Sequence, residues 1–186
     1  IVNWKDRSVC VLFGDGAGAV VLKAVDNNTE DVTGALVGQE RGIIDSNIYN
    51  DGTGASVLTG GRRFSDSCST DIFIHMDGQE VFKFAVKSVP TAIETLLHNN
   101  NMDINDVDKF ILHQANVRII ESVAKRLKAD KDKFPVNLNE YGNTSSASIP
   151  ILLDELNRNG SLKQGDKLIL AGFGAGLSWG SILLVW

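Results

Sequence analysis

The feature that most constrains how this chain can fold is a glycine-rich segment that occurs twice. Leu12–Gly18 has the sequence LFGDGAG and Leu170–Gly176 has LAGFGAG, so the two copies lie 158 residues apart. Each copy stands between apolar stretches that are typical of strands. A repeated strand–turn–strand unit at this spacing predicts two similar halves that each end in a hairpin. We therefore expect the chain to contain the end of a first half and the whole of a second.

The first glycine segment also fits G-x-G-x-x-A, the pattern of dinucleotide-binding loops, through Gly14, Gly16 and Ala19. In that motif a helix must follow the glycines, because the pyrophosphate lies on the helix N-terminus. Here the sequence AVVLKAV follows, which is rich in β-branched residues and has no capping residue at its start. The segment therefore predicts a hairpin turn rather than a dinucleotide site. The backbone N–H groups of such a turn can donate to an oxyanion.

Apolar periodicity predicts an α/β chain in which strands alternate with helices. We divide it into residues 1–25, the end of the first half, residues 26–77, a connecting excursion that is mostly irregular, and residues 78–186, the second half. Pro90 should kink the first helix of the second half or mark its first turn. The predicted strands are Val9–Phe13, Ala19–Val25, Val32–Gln39, Lys109–His113, Lys167–Gly172 and Ser181–Trp186, and the predicted helices are Gly78–Asn101, Asn116–Lys128 and Ser145–Asn159, with Gly160 at the C-cap.

Composition argues against several classes of function. The net charge of −5 argues against general binding to nucleic acid, which is itself negatively charged. No apolar run approaches the roughly 20 residues that are needed to span a bilayer. Cys10 lies in the apolar run VCVLF and Cys68 in the polar stretch FSDSCSTD. One disulfide between them is an alternative, but two scattered cysteines without C-x-x-C spacing fit a reducing cytoplasm better. We expect a cytoplasmic protein with no metal, nucleic-acid or membrane partner.

His113 and Asn143 are the candidate catalytic residues. His113 ends the predicted strand KFILH, at a strand–helix junction of the kind where open α/β sheets place their sites. Asn143 follows Gly142 in YGNTSSAS, where a tight turn leads into a helix. Each has a structural alternative, since a histidine at a strand end is often a structural hydrogen-bonding residue and an asparagine before Ser or Thr often caps a helix. His75 and His98 are interpreted as structural.

Four segments, in this order, resemble the β-ketoacyl-acyl carrier protein synthase III family: LFGDGAGAVVL, HQANVRI, YGNTSSASIP and GFGAGLSWG. The resemblance runs from about Asp6 to Trp186. It implies a thiolase-like fold, in which the second half is a mixed sheet with helices on both faces and the last hairpin of the first half precedes it. Members of the family initiate bacterial fatty-acid synthesis. A cysteine takes an acyl group, usually acetyl, from acyl-CoA, and decarboxylation of malonyl-acyl carrier protein supplies the carbanion that attacks it.

The resemblance implies a Cys-His-Asn triad in which His113 and Asn143 are the second and third members. Their N–H groups would stabilise the enolate that forms when CO₂ leaves. The family's nucleophilic cysteine lies in its first half, in a segment that this chain does not contain, and neither Cys10 nor Cys68 stands in its motif. We therefore expect the isolated chain to be inactive. The backbone N–H of Ala175, where the family often has glycine, matches the oxyanion-hole donor.

The resemblance also implies substrate contacts and a docking surface, with acyl-CoA as a substrate and no prosthetic group. The residues that match the family's coenzyme A site are Arg7, Gln79, Phe82, Ala85 and Asn116, although the family commonly has asparagine in place of Gln79. The carrier protein is acidic, and the residues that match its docking patch are Lys83, Arg118, Lys125 and Arg126. Family members are homodimers, so we expect a homodimer of the complete protein.

Two other functions are open on the sequence. The first is a related thiolase-fold starter condensing enzyme of polyketide or secondary metabolism, which would differ in its acyl pocket. The second is a non-catalytic protein that binds acyl groups or coenzyme A. A cysteine in the family motif upstream of this chain would separate both enzymes from the binding protein.

Overall fold

The described part of the chain alternates strands and helices. The computed structural model describes residues 1–24, 41–60 and 73–186, and the backbone of residues 29–30 and 36–37. Within these ranges the strands are β1 (Thr29–Glu30), β2 (Leu36–Val37), β3 (Gly42–Asn50), β4 (Leu58–Gly60), β5 (Ile74–Met76), β6 (Lys109–Leu112), β7 (Lys167–Gly174) and β8 (Ser178–Val185). The helices are α1 (Gly78–Asn99), α2 (Val117–Leu127), α3 (Leu138–Tyr141) and α4 (Ser148–Arg158).

The main sheet has four strands in the order β3-β8-β7-β6. Strands β6 and β7 are parallel, and β8 pairs antiparallel with both β7 and β3. Helices α1 and α2 cover one face, where Phe110, Ile169 and Leu183 are buried, and α4 covers the other, where Ile111 and Leu168 are buried. Burial on both faces explains why β6 and β7 are largely apolar along their length. The predicted fold class, a mixed sheet with helices on both faces, is confirmed.

The helices form close to where the sequence predicts them, and their caps define their ends. The Asp77 side chain accepts two backbone hydrogen bonds at the start of α1, and the Asn116 side chain caps α2. Lys128 ends α2 in the left-handed conformation, and Gly160, with a φ of 74°, follows the end of α4. Pro90 lies inside α1, so it does not mark the first turn of that helix. The predicted helix Ser145–Asn159 begins as a 3₁₀ turn over Ser145–Ala147 before it becomes α-helical.

Strand β3 corrects the prediction that residues 26–77 are mostly irregular. It forms one edge of the main sheet, paired with β8, and two of its inward side chains, Asp45 and Asn47, are polar and form hydrogen bonds within the fold. Asn47 donates to the Ala92 carbonyl at 2.8 Å and accepts from the N–H and the hydroxyl of Ser181. Ile48, on the opposite side of the strand, is 79% exposed. The usual alternation of apolar inward and polar outward residues is inverted, so the pattern does not reveal this strand.

The hairpin predicted for the first glycine segment is wrong in this structure. Val9–Leu12 forms consecutive turns, and residues 14 to 24 have no regular secondary structure. Val21 is 95% exposed. Strands need backbone partners, and the segment contributes one isolated parallel bridge, between Phe13 and Asn143. The second glycine segment does form the predicted hairpin, between β7 and β8.

Three further predictions concern the rest of the chain. Strand β2 falls within the predicted strand Val32–Gln39, most of which lies outside the described residues. Cys10 is a free thiol, whereas Cys68 lies outside the described residues. In the ranges that the structure describes, we find no helix with the length and hydropathy needed to cross a lipid bilayer. The division of the chain into halves at residues 25 and 78 stays a prediction.

Candidate active site

A cavity of about 620 Å³ opens at the C-terminal ends of β6 and β7. Open α/β sheets commonly bind ligands at this edge. His113 and Asn143 both line the cavity, so the fold brings the two candidate catalytic residues to one site. The cavity wall is completed by residues of β4, β5, α1 and α2 and by the N-cap of α2, among them Leu58, Thr59, Met76, Val81, Phe82, Ile119 and Asn116.

His113 follows β6 and is held by its backbone and its ring. Its N–H donates to the Ala171 carbonyl at 2.8 Å, and its ring meets Phe173 edge-on, with centroids 5.3 Å apart. Nδ1 lies 2.7 Å from Oγ of Ser148. Burial of the imidazole lowers its pKa from 6.5 to about 4, because desolvation disfavours the charged form. The ring is therefore neutral at pH 7, with one nitrogen as donor and the other as acceptor.

Asn143 is held by its backbone and by its side chain. Its N–H donates to the Leu12 carbonyl at 2.9 Å, and its own carbonyl accepts from the Gly14 N–H at 3.0 Å. Gly142 precedes it with a φ of 66°, a conformation that favours glycine. The Asn143 Oδ1 accepts from the Ser145 N–H at 2.9 Å. With Oδ1 engaged in this way, the amide NH₂ group is left to donate into the cavity.

A series of polar side chains, which starts at the buried Gln114 and ends at the exposed Tyr141, connects the two loops that carry the catalytic candidates. Gln114 is 1% exposed. Its Nε2 donates to a backbone carbonyl at 2.8 Å, and its Oε1 accepts from the Asn137 N–H at 3.3 Å. The Asn137 side chain donates to one carboxylate oxygen of Glu155 at 2.6 Å, and the Tyr141 hydroxyl donates to the other. A satisfied network of this kind rigidifies the loops it joins.

The second glycine segment closes one side of the cavity. Phe173 and Ala175 both line it. Among the described residues, positive φ outside glycine occurs at Asn101, Lys128 and Ser145, and Ala175 is not one of them. Ala175 therefore has a backbone conformation that a residue with a Cβ adopts without strain. Its role as an oxyanion donor stays a prediction.

The five predicted coenzyme A residues occupy different surroundings. Phe82 and Asn116 line the cavity, and Asn116 also caps α2 by accepting from a backbone N–H at 2.9 Å. Ala85 is fully buried in the hydrophobic core. Gln79, in the first turn of α1, and Arg7, in the N-terminal turns, are exposed and lie outside the cavity lining. The structure thus brings two of the five to the site, and the binding roles of all five stay predictions.

The four predicted docking residues lie on two neighbouring helices. Arg118, Lys125 and Arg126 are exposed on α2, and Lys83 is exposed on α1. The Arg118 guanidinium lies 5.9 Å from the centroid of the Phe82 ring, so the two helices meet beside a residue of the cavity wall. Lys83 also forms an exposed ion pair on its own helix, which contributes little to stability. Their docking role stays a prediction.

Gln114 and Ser148 contact the site and were not identified from the sequence. Ser148 stands in TSSAS, where four hydroxyl side chains look alike, so nothing in the pattern distinguishes it. Gln114 directly follows His113, and this adjacency is the one feature of the sequence that could have pointed to a role for Gln114. No group of three or more His, Cys, Asp or Glu side chains in the described ranges could hold a metal ion.

The fold and the site together define a thiolase-like unit that places a histidine and an asparagine in one cavity. Residues 97–186 match the family profile described as "3-Oxoacyl-[acyl-carrier-protein (ACP)] synthase III C terminal", and residues 1–52 match the profile of 3-oxoacyl-[ACP] synthase III. Beta-ketoacyl-[acyl-carrier-protein] synthase III of Clostridium tetani is 44% identical over 200 residues, covering 100% of this chain and 56% of that protein. The Clostridium acetobutylicum synthase III is also 44% identical, over 192 residues, with coverage of 100% and 55%.

Solved structures agree with these sequence matches. The 3-oxoacyl-[acyl-carrier-protein] synthase III from Aquifex aeolicus superposes with a TM-score of 0.85 and 40% identity, over 100% of this chain and 54% of that chain. The priming β-ketosynthase of the R1128 polyketide pathway gives a TM-score of 0.69 and 35% identity, over 77% and 45% of the two chains. This chain belongs to the 3-oxoacyl-ACP synthase III family, and it spans about half the length of the curated relatives that it matches.

Proposed function

We propose that this chain is the C-terminal portion of a β-ketoacyl-ACP synthase III, an acyltransferase that joins acyl-CoA, preferably acetyl-CoA, to malonyl-acyl carrier protein. The observation that carries the proposal is the shared cavity, which holds His113 and Asn143 beside the turn at Ala175. A neutral imidazole and a carboxamide offer two N–H donors without a competing cation. Fixed donors of this kind stabilise negative charge that develops on a thioester oxygen.

The first stage of the proposed reaction is acyl transfer to a cysteine, which we place in the part of the complete protein that precedes this chain. Its thiolate attacks the carbonyl carbon of acyl-CoA, and a tetrahedral oxyanion forms. The backbone N–H of Ala175 donates to that oxyanion. The bond between the carbonyl carbon and the coenzyme A sulfur then breaks, and the coenzyme A thiolate takes up a proton and leaves.

The second stage is decarboxylative condensation. The bond between the malonyl carboxylate and the α-carbon breaks, CO₂ leaves, and the electron pair forms an enolate of the thioester. The ring N–H of His113 and the amide of Asn143 donate to the enolate oxygen. The α-carbon then attacks the acyl-cysteine carbonyl, the cysteine leaves as thiolate, and β-ketoacyl-carrier protein is released.

Partners and context follow from the same proposal. The acidic carrier protein docks on the basic residues of α1 and α2, and the contact of Arg118 with Phe82 places that arginine beside the cavity wall. The complete protein acts in the cytoplasm as a homodimer and uses acyl-CoA without a prosthetic group. Exposure of the apolar residues Val20, Val21 and Leu22, by 66–95%, supports a role for this chain within a longer protein.

A starter condensing enzyme of polyketide metabolism is a second candidate. The match to the R1128 priming β-ketosynthase favours it over part of the chain. Both enzymes use the same chemistry and differ in the acyl group they accept, so turnover with a panel of acyl-CoA starters separates them. Clear preference for a longer or branched starter over acetyl-CoA supports the second candidate.

The catalytic proposal is tested in the complete protein by separating the two stages. His113→Ala and Asn143→Ala should each lower malonyl-carrier decarboxylation by roughly 10²–10³-fold, while the cysteine still takes acyl groups from acyl-CoA. The exposed His98 on α1 supplies the matched control, since His98→Ala should leave both stages unchanged. Full decarboxylation by both cavity variants would contradict the proposal. The 186-residue chain alone should show no condensation.

A further inference from the structure

Ser148 lies beside the candidate catalytic histidine, at the first residue of α4, where it lines the same cavity. The residue is 2% exposed, and its Oγ lies 2.7 Å from Nδ1 of His113. The same oxygen accepts the backbone N–H of Gln114 at 3.2 Å. In the part of the chain that the structure describes, the Ser148 hydroxyl has these two polar contacts. It therefore joins α4 to the strand end that carries His113.

The two contacts determine where the hydroxyl proton of Ser148 points. A serine hydroxyl carries one proton and accepts through two lone pairs. The Gln114 amide can only donate, so it occupies a lone pair and leaves the proton free to point at Nδ1 of His113. If Nδ1 carried the ring proton instead, Oγ would receive two donors, and no protein group in the described part of the chain would accept its own proton. Buried donors without acceptors are strongly disfavoured.

The direction of this hydrogen bond sets the tautomer of the ring. A neutral imidazole has one N–H and one acceptor nitrogen, so a ring that accepts at Nδ1 carries its proton on Nε2. Because Ser148 occupies Nδ1 while the ring lines the cavity, Nε2 is the nitrogen left for a ligand. The low pKa of His113, about 4, agrees with a neutral ring.

We propose that Ser148 is a positioning residue that donates to Nδ1 of His113, keeps the ring proton on Nε2 and aims that N–H at the thioester oxygen of the malonyl substrate. The inference rests on the proposed function, because it concerns the donor that stabilises the enolate. Removing an outer partner of a metal-binding histidine commonly costs 10–100-fold in affinity or activity. A loss of decarboxylation of roughly ten- to a hundredfold is expected for the comparable loss of the Ser148 hydroxyl.

The direct test is the protonation state of the two ring nitrogens in the complete protein, labelled with ¹⁵N-histidine. At pH 7, Nε2 of His113 should show the chemical shift and proton coupling of an N–H group, and Nδ1 the shift of a hydrogen-bonded acceptor. His113→Gln assigns the signal by removing it. A wild-type spectrum with the proton on Nδ1 would overturn the proposal, and this measurement requires no Ser148 variant to fold.

Variants at Ser148 separate positioning from packing. Ser148→Ala should lower decarboxylation tenfold or more with little change in KM for malonyl-carrier protein, and it should move the Nδ1 resonance. Ser148→Thr, which keeps the hydroxyl, should restore most of the rate. Ser161→Ala, on the exposed turn after α4, is the matched control. An unchanged rate and an unchanged Nδ1 resonance in Ser148→Ala would refute the positioning role.

The two proposals fail in different ways. A complete protein without condensing activity but with the proton on Nε2 would refute the proposed function and support the contact between Ser148 and His113. An active enzyme with the proton on Nδ1 would support the proposed function and overturn the role of Ser148.

Discussion

Acidification should protonate His113 only well below the pH at which an ordinary histidine becomes charged. Burial of the ring lowers its pKa from 6.5 to about 4. At pH 7 roughly one molecule in a thousand would then carry a charged ring, and at pH 5 about one in ten. Between pH 5 and pH 7, titration of His113 should therefore change the decarboxylation rate by no more than about a tenth.

The same shift predicts how the free energy of unfolding depends on pH. The unfolded chain takes up a proton at His113 near pH 6.5, whereas the folded chain resists it until pH 4. The contribution of His113 to the free energy of unfolding therefore has its full value above pH 6.5 and decreases as the pH falls towards 4, because the unfolded state binds more protons in that window. The difference of about 2.5 pKa units corresponds to about 3 kcal/mol.

Two measurements test this expectation in the complete protein. The first is a titration of ¹³C- or ¹⁵N-labelled histidine by NMR, with His113→Gln to identify the resonance of His113. The second is urea unfolding between pH 7 and pH 4. Wild type should lose about 3 kcal/mol more than His113→Gln over this range.

A measured pKa near or above 6.5 would refute the reasoning. The ring would then be substantially charged at neutral pH, and Nδ1 would be a donor rather than the acceptor of the Ser148 hydroxyl. Equal pH dependence of unfolding in wild type and His113→Gln would lead to the same conclusion.

Three further predictions use other parts of the structure. Arg118→Glu should raise KM for malonyl-carrier protein roughly tenfold or more at low salt, through repulsion of an acidic partner, and should leave acyl transfer from acyl-CoA unchanged. Gly14→Ala should lower decarboxylation by about a hundredfold, because the new Cβ would overlap the Tyr141 carbonyl and displace the neighbouring Asn143. Phe110→Ala should cost about 3–5 kcal/mol in urea unfolding, since the ring of this β6 residue is fully buried and stacks on Phe134.

The first two of these variants each have a matched control in the chain. Arg158→Glu reverses an exposed arginine on α4, outside the docking patch, and should leave KM unchanged. Gly52→Ala adds a Cβ where nothing lies within 4 Å and should leave the rate unchanged. Equal losses in both stages for Arg118→Glu would contradict the docking role, and a normal rate in Gly14→Ala would contradict the backbone support of Asn143.

The sequence predicts best the elements whose side chains follow a regular pattern. In α2 the apolar stripe at Ile119, Ile120, Val123, Ala124 and Leu127 is buried as its period requires. Strand β3 is not predicted from the sequence, because the polar side chain of Asn47 points inward. Its hydrogen-bonding partners are brought together only in the folded chain. Val20 and Val21 favour a strand by composition, but the described residues offer no backbone to pair with them.

The residues of the candidate site show the same difference between those that a sequence pattern reveals and those that only the folded structure reveals. His113 and Asn143 can be identified because they stand at a strand end and after a glycine turn, and because the motifs around them resemble a known family. Gln114 and Ser148 cannot be identified in this way, since their importance lies in contacts between distant loops. Ser148 is 35 residues from the ring that it contacts.

The bridge between Leu12–Gly14 and Asn143 has a consequence for how this site tolerates change. The two hydrogen bonds that bracket Asn143 use main-chain atoms alone, so most side-chain replacements at Leu12 or Phe13 leave them intact. Adding or deleting one residue in that segment would instead shift the carbonyl and the N–H out of register. The position of Asn143 is therefore robust to substitution and sensitive to insertion, and natural or engineered length changes near the first glycine segment should be far rarer than changes of residue type.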